Sequence, residues 1–146
     1  LGAFAFGFVD DRLGGKKTVL ISLVALCIAV VIGVSASSKT GLWAAGIIIG
    51  VFLGPIQSAS RSLMGRFTPS RHQSEFFGFY ALSGKATAFL GPLVLGLVTG
   101  WFGQRVGVAT VIGFFILGGL ILTTVNEERG IAVAVAHDLT AHASGD

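Results

Sequence analysis

Four apolar runs, at residues 18–36, 42–60, 76–99 and 106–125, constrain this chain more than any other feature. Spanning bilayer hydrocarbon takes ~20 residues of helix at 1.5 Å each, and each run is of that order. Only 12% of the 146 residues are charged, against about 25% in a soluble domain, and the mean hydropathy is +0.84. The expected fold is all-α, a polytopic transmembrane helix bundle over residues 1–125 followed by a polar tail at 126–146.

The connections between the runs are short and carry most of the charge. Residues 7–17, GFVDDRLGGKK, crowd five charges into a glycine-rich turn, and residues 1–9 read as the last turns of a further span. The chain opens on Leu1, with no basic flank ahead of a cleavable apolar segment, so a piece of a longer protein is expected. Residues 37–41 and 100–105 are short turns, the second with Trp101 and Phe102 at interface depth. The longer connection at 61–75 holds Arg61, Arg66, Arg71, His72 and Glu75 around Pro69, and should include a helical extension of the second span. Ser74 is the expected N-cap of the third span, with Glu75 near its positive end.

Lys and Arg segregate by side. Arg12, Lys16, Lys17, Arg61, Arg66, Arg71 and Arg129 fall on one side, and Lys39 and Arg105 on the other. Seven against two places the charged turn, the middle connection and the C-terminus in the cytoplasm. The tail, a mixture of Ala, His, Asp and Gly, is expected to be mostly disordered, with a brief helix over Gly130 to Ala136 left open.

Polar chemistry concentrates in the second and third spans, whereas the first and fourth read as lipid-facing scaffold. Gly46, Gly50, Gly54, Ser58 and Ser62 recur at i+4 along one face of the second span. Such a face permits close helix approach, and both static packing and a sliding contact remain open. Gly54-Pro55 and Gly91-Pro92 each remove a backbone hydrogen bond and should kink their helices near mid-membrane, a pattern that accompanies binding or gating regions.

Gln57 and Arg61 lie one turn apart among serines, so they should face protein or a water-filled cavity; a snorkelling anchor role for Arg61 is the alternative. Lys85 is a charge well inside a span, a placement that costs on the order of 2.5 to 3.5 kcal/mol on insertion scales. Tyr80, Gly84, Thr87 and Gly91 form a hydrogen-bonding strip nearby. Gln57, Arg61, Tyr80, Lys85 and Thr87 are therefore the candidate solute-binding or cavity residues.

Other chemistries find no residues. No span contains Asp or Glu, so a proton-coupling carboxylate would have to come from elsewhere. His72, His137 and His142 lack metal-ligand spacing to one another or to Cys27, and no cofactor is expected. GGKKT at residues 14–18 lacks the spacing of a phosphate loop. The dispersed basic residues exclude nucleic acid as a partner, and no paired acids or nucleophile–base set suggests an enzyme.

The spacing of Gly7, Asp11, Arg12, Gly14 and Lys16 resembles the loop signature G-x-x-x-D-R-x-G-(basic)-(basic) of the major facilitator superfamily. With GPIQSASRS at 54–62, EFFGFY at 75–80, SGK at 83–85 and Gly91-Pro92, the chain resembles vacuole-effluxer-like permeases, which include autophagy-related vacuolar amino-acid exporters and bacterial relatives. The resemblance implies the end of helix 8 and helices 9 to 12 of a twelve-helix protein, its C-terminal lobe. It also implies that Asp11 and Arg12 join charge contacts holding one conformational state, although Gly15 replaces the first usual basic residue after the glycine.

The expected function is part of a secondary transporter, moving a small solute by alternating access with the lipid bilayer and a missing N-terminal lobe as partners. The resemblance suggests amino acids as solute; coupling to protons and a bacterial inner or vacuole-type membrane are further expectations. A non-transporting membrane anchor or assembly subunit, using its small-residue faces, is the alternative.

Overall fold

The computed structural model of the chain describes residues 14–143, and every regular element among them is helical. Four long helices, α1 (Gly15–Ser35), α2 (Lys39–Phe67), α3 (Gln73–Phe102) and α4 (Gln104–Thr124), are each long and apolar enough to cross a membrane. A shorter helix, α5 (Glu127–Ala143), follows. The partial span expected at 1–9 lies outside the described residues.

The helix ends follow from local chemistry. Gly14, at φ 87°, turns the chain into α1, and its carbonyl accepts both the Thr18 N–H (3.2 Å) and hydroxyl (3.1 Å). Ser38 caps α2, its hydroxyl oxygen accepting the Gly41 N–H at 3.3 Å. Beyond residue 60, α2 continues to Phe67, where Thr68 leaves the helix ahead of Pro69.

Three sequence expectations are corrected. A single 3-10 turn at Ser70–His72 leads directly into α3 at Gln73, so Ser74 lies inside the helix and caps nothing. The turn expected at 100–105 shrinks to Gly103: α3 absorbs Trp101 and Phe102, and α4 starts at Gln104. Gly103 sits at φ 90°, which lets the chain reverse within one residue. The tail, expected to be disordered, is helical from Glu127 to Ala143 because its small residues pack on the end of α2. Gly130 lies against the Phe67 ring, and Ala134 is buried.

α1 packs along α2 and against α4, and α3 packs on α4, while α2 and α3 touch only slightly. The expectation of α1 as pure lipid-facing scaffold is half right. Its Ile21, Val24, Ile28 and Val31 are exposed, but Thr18, Ser22, Leu26 and Ala29 are buried. Ser22 satisfies its hydroxyl on the Thr18 carbonyl at 2.8 Å, so the polar pair enters the core without an orphan donor. Gly15 and Gly33 sit where a Cβ would lie 3.2 Å from Leu63 Cβ and 3.6 Å from Ala45 Cβ, so α1 and α2 approach closely near both ends.

Candidate functional site

Where α2 and α3 diverge, a cleft of about 790 Å³ opens between them. Gln57, Ser60 and Arg61 line it from α2, and Tyr80, Ala81, Ser83, Gly84, Thr87 and Ala88 from α3. Four of the five candidate cavity residues, Gln57, Arg61, Tyr80 and Thr87, thus meet across one opening. The fifth does not: Lys85 is exposed and absent from the lining. At about 100° per residue, Lys85 projects about 100° round α3 from Gly84 and about 160° from Thr87, and borders the opening at Ala81 and Ala88, about 40° and 60° away.

The polar groups of this cleft divide into two kinds. Ser60 donates to the Ile56 carbonyl (2.7 Å), Ser83 to Tyr80 (2.9 Å) and Thr87 to Ser83 (2.9 Å), so these hydroxyls spend their protons on their own helices. Gln57, Arg61 and the Tyr80 hydroxyl hydrogen-bond to no other described residue. The Tyr80 ring is held edge-on by Phe77, with centroids 6.4 Å apart. Among the described residues, the cleft therefore presents an amide, a guanidinium and a phenol as unengaged donors, with one fixed positive charge and no carboxylate in its lining.

The small-residue stripe of α2 does not form its packing face within this chain. Gly46, Gly50, Gly54 and Ser58 are exposed, and nothing lies within 4 Å of a Cβ built at Gly46 or Gly50. Ala45, Pro55, Ala59 and Leu63 form the buried face instead. Both prolines lie inside unbroken helices, Pro55 buried and Pro92 exposed, and Gly91 is half-buried.

Of the charged-turn residues, Gly7, Asp11 and Arg12 lie outside the described residues. Gly14 and Lys16 fall at a junction that sequence reasoning missed. The Lys16 ammonium donates to the carbonyls of Thr123 (2.9 Å) and Val125 (2.6 Å), at the end of α4. Its backbone N–H donates to Glu127 Oε2 (3.3 Å), and Glu127 Oε1 lies 3.9 Å from Arg66 at the end of α2. A cation at a helix C-terminus and a carboxylate at a helix N-terminus both complement the macrodipole. The available signal was the pairing of a basic cluster after Gly14 with the acidic pair Glu127–Glu128.

Four helices long and apolar enough to cross a membrane, two of them lining a polar cleft, define an integral, multi-pass membrane protein. The family described as "Vacuole effluxer Atg22 like" matches residues 1–135, and the chain belongs to that family. It is 30% identical to an MFS-type transporter, YxiO, of Bacillus subtilis, over 88% of this chain and 30% of the relative. Autophagy-related protein 22-2 of Aspergillus clavatus is 28% identical over 70% of this chain and 19% of its own length. Autophagy-related protein 22-1 of Neosartorya fischeri is 25% identical over 95% of this chain and 26% of its own. The chain thus spans less than a third of these relatives. No solved structure matches it.

Proposed function

We propose that this chain forms part of a secondary transporter in which the cleft between α2 and α3 belongs to the solute pathway. The observation that carries this reading is the set of donors Gln57, Arg61 and Tyr80, engaged by no other described residue, on two spans that touch each other only slightly. Helices packed loosely can change separation without breaking a core, as alternating access requires. Arg61 supplies charge for a carboxylate, while Gln57 and Tyr80 supply hydrogen bonds, so a small polar solute fits and amino acids are the first class to test. The family's description as an effluxer, and that of the Bacillus subtilis relative as an MFS-type transporter, support transport. The distribution of Lys and Arg supports a cytoplasmic C-terminus.

The test is flux of labelled amino acids by the whole protein in proteoliposomes, with and without a proton gradient. Gradient-dependent flux of one class is expected. An anchor or assembly role instead predicts no flux, together with a complex lost on bulky replacement of exposed Gly50.

A further inference from the structure

A second opening, of about 670 Å³, lies where the end of α2, the start of α3 and the end of α4 meet α5. It shares no lining residue with the cleft between α2 and α3. Its floor is apolar, with Phe67 and Phe76 on one wall and Val125 and Val133 on the other. Phe76 stands three residues into α3, about 5 Å along the axis, so the floor begins within the first turn of a span. Phe76 is 38% accessible and Val133 63%, so apolar surface stays open on both walls.

The rim carries donors and a fixed positive charge. Arg129 and His137 line it from α5, and neither side chain has a hydrogen-bond or ion-pair partner among the described residues. His72 is held from two sides, its Nδ1 3.2 Å from Glu75 Oε2 and its ring edge-on to His137 at 5.8 Å. The neighbouring carboxylates are engaged elsewhere: Glu75 on His72, Asp138 on the Ser70 N–H and hydroxyl, and Glu127 on the Lys16 N–H and Arg66. Glu128 lines a different opening, with Lys17. No described carboxylate lines this one, so its mouth favours an anion.

We propose that this opening binds one anionic phospholipid of the membrane surface at which α2 ends and α3 begins. Arg129 and His137 receive the phosphate, and an acyl chain lies on Phe67, Phe76 and Val133. The planar guanidinium fork matches phosphate oxygens, and an imidazole N–H is a donor whether the ring is neutral or charged. A free phosphate would use the rim and leave the apolar floor wet, whereas a lipid covers both. A zwitterionic headgroup would bring its ammonium against Arg66, Arg71 and Arg129, which gather at this surface. Basic pockets between spans on the cytoplasmic side suit anionic headgroups, and the distribution of Lys and Arg supports that side. The site stands whether or not the cleft carries solute.

The experiment places the whole protein in nanodiscs of phosphatidylcholine and phosphatidylglycerol in equal parts and counts retained lipids by native mass spectrometry. The wild type should keep one phosphatidylglycerol more than the double variant Arg129→Gln with His137→Ala. Arg129→Gln alone should weaken that occupancy about fivefold, the order expected for one basic residue at an anionic surface. Val133→Trp keeps both donors and fills the floor, so it should abolish the difference. Arg71→Gln removes a charge from the same surface without touching the lining, and should leave retention unchanged. Equal retention in the wild type and the double variant overturns the proposal, as does an equal loss in Arg71→Gln, which would mean diffuse surface charge. Displacement by inorganic phosphate or glycerol phosphate in the buffer overturns it in favour of a soluble anion. Equal retention of phosphatidylcholine at the site overturns it in favour of an unselective apolar groove.

Discussion

Lys16 and Glu127 fasten the start of α1 to the junction between α4 and α5 from both sides. The Lys16 ammonium donates to the carbonyls of Thr123, in the last turn of α4 (2.9 Å), and of Val125, just beyond it (2.6 Å), while the Glu127 carboxylate accepts the Lys16 N–H at 3.3 Å. Residues 111 apart in sequence thereby tie the first described span to the last. Glu127 also faces Arg66 at 3.9 Å, which brings the end of α2 into the same junction.

Breaking either half should loosen the whole junction. Lys16→Met removes a cation from a helix C-terminus, and Glu127→Ala removes the carboxylate that meets the N-terminus of α1. Each should cost about 1–2 kcal/mol. The double variant should cost less than the sum, because the second loss acts on a junction already open. Thermal unfolding of the whole protein in detergent measures all three. Strict additivity would show two independent caps instead of one joint.

Three glycines should respond to alanine for three different reasons. Gly103 sits at φ 90° with open space around it, so Gly103→Ala should cost about 1–2 kcal/mol through the backbone alone. At Gly107 a Cβ would collide with Thr99 Oγ1 and lie 3.1 Å from the Leu95 carbonyl, so Gly107→Ala should cost about 1–3 kcal/mol through packing. Thr99→Ala should recover part of that second loss and none of the first, and alone it should be nearly neutral, since its buried hydroxyl has no partner among the described residues. Gly46→Ala meets nothing within 4 Å and should be neutral or stabilising by up to ~1 kcal/mol. Melting midpoints of the four single variants, and of Thr99→Ala combined with Gly107→Ala and with Gly103→Ala, separate these causes.

The contrast among these glycines shows why some of this fold was legible in the sequence and some was not. Membrane thickness sets run length, so the four spans stand out without any knowledge of packing. Which face of α1 is buried does not stand out: exposed Ile21, Val24 and Ile28 are as apolar as buried Leu26, since lipid and core make the same demand. The small residues Thr18, Ser22 and Ala29 mark the buried face, but Val19, Leu26 and Val30 share it and are no different in kind from exposed Val24 and Val31. The same logic hid α5, whose docked face is built from Gly130, Ala134, His137 and Asp138 and has no apolar stripe to detect. In the cleft, Gln57, Arg61, Tyr80 and Thr87 were readable as polar groups in apolar runs. Lys85 passed the same test of composition, yet its angular position on α3 sets it apart from them.

The docking of α5 should be separable from the fold of the spans. Asp138 accepts the Ser70 N–H at 2.9 Å and its hydroxyl at 2.8 Å, and His137 meets His72 edge-on at 5.8 Å. Asp138→Ala should weaken the contact by about 1–3 kcal/mol. Gly130→Val should do at least as much, because even a Cβ there lies 2.9 Å from the Phe67 ring. Hydrogen exchange should accelerate over residues 127–141 and stay unchanged across α1 and α4. Equal acceleration everywhere would mean that α5 is integral to the bundle's stability.

The cleft reading stands or falls on Arg61. If its guanidinium receives the solute's negative group, Arg61→Met should raise KM about 10–100-fold, the equivalent of a lost charge-assisted hydrogen bond of ~1.5–3 kcal/mol. Arg61→Lys should fall between, because it keeps the charge and loses the planar fork. Tyr80→Phe should cost less, roughly 2–10-fold, since a neutral hydroxyl contributes ~0.5–1.5 kcal/mol and the Phe77 contact with the ring survives. Proteoliposome flux at varied solute concentration measures each, with the midpoint of unfolding as control. Because Arg61 is exposed and pairs with no described residue, its loss should leave that midpoint unchanged. Wild-type KM in all three variants would remove the cleft from the solute pathway, and a fall in stability with unchanged KM would make Arg61 an interfacial anchor.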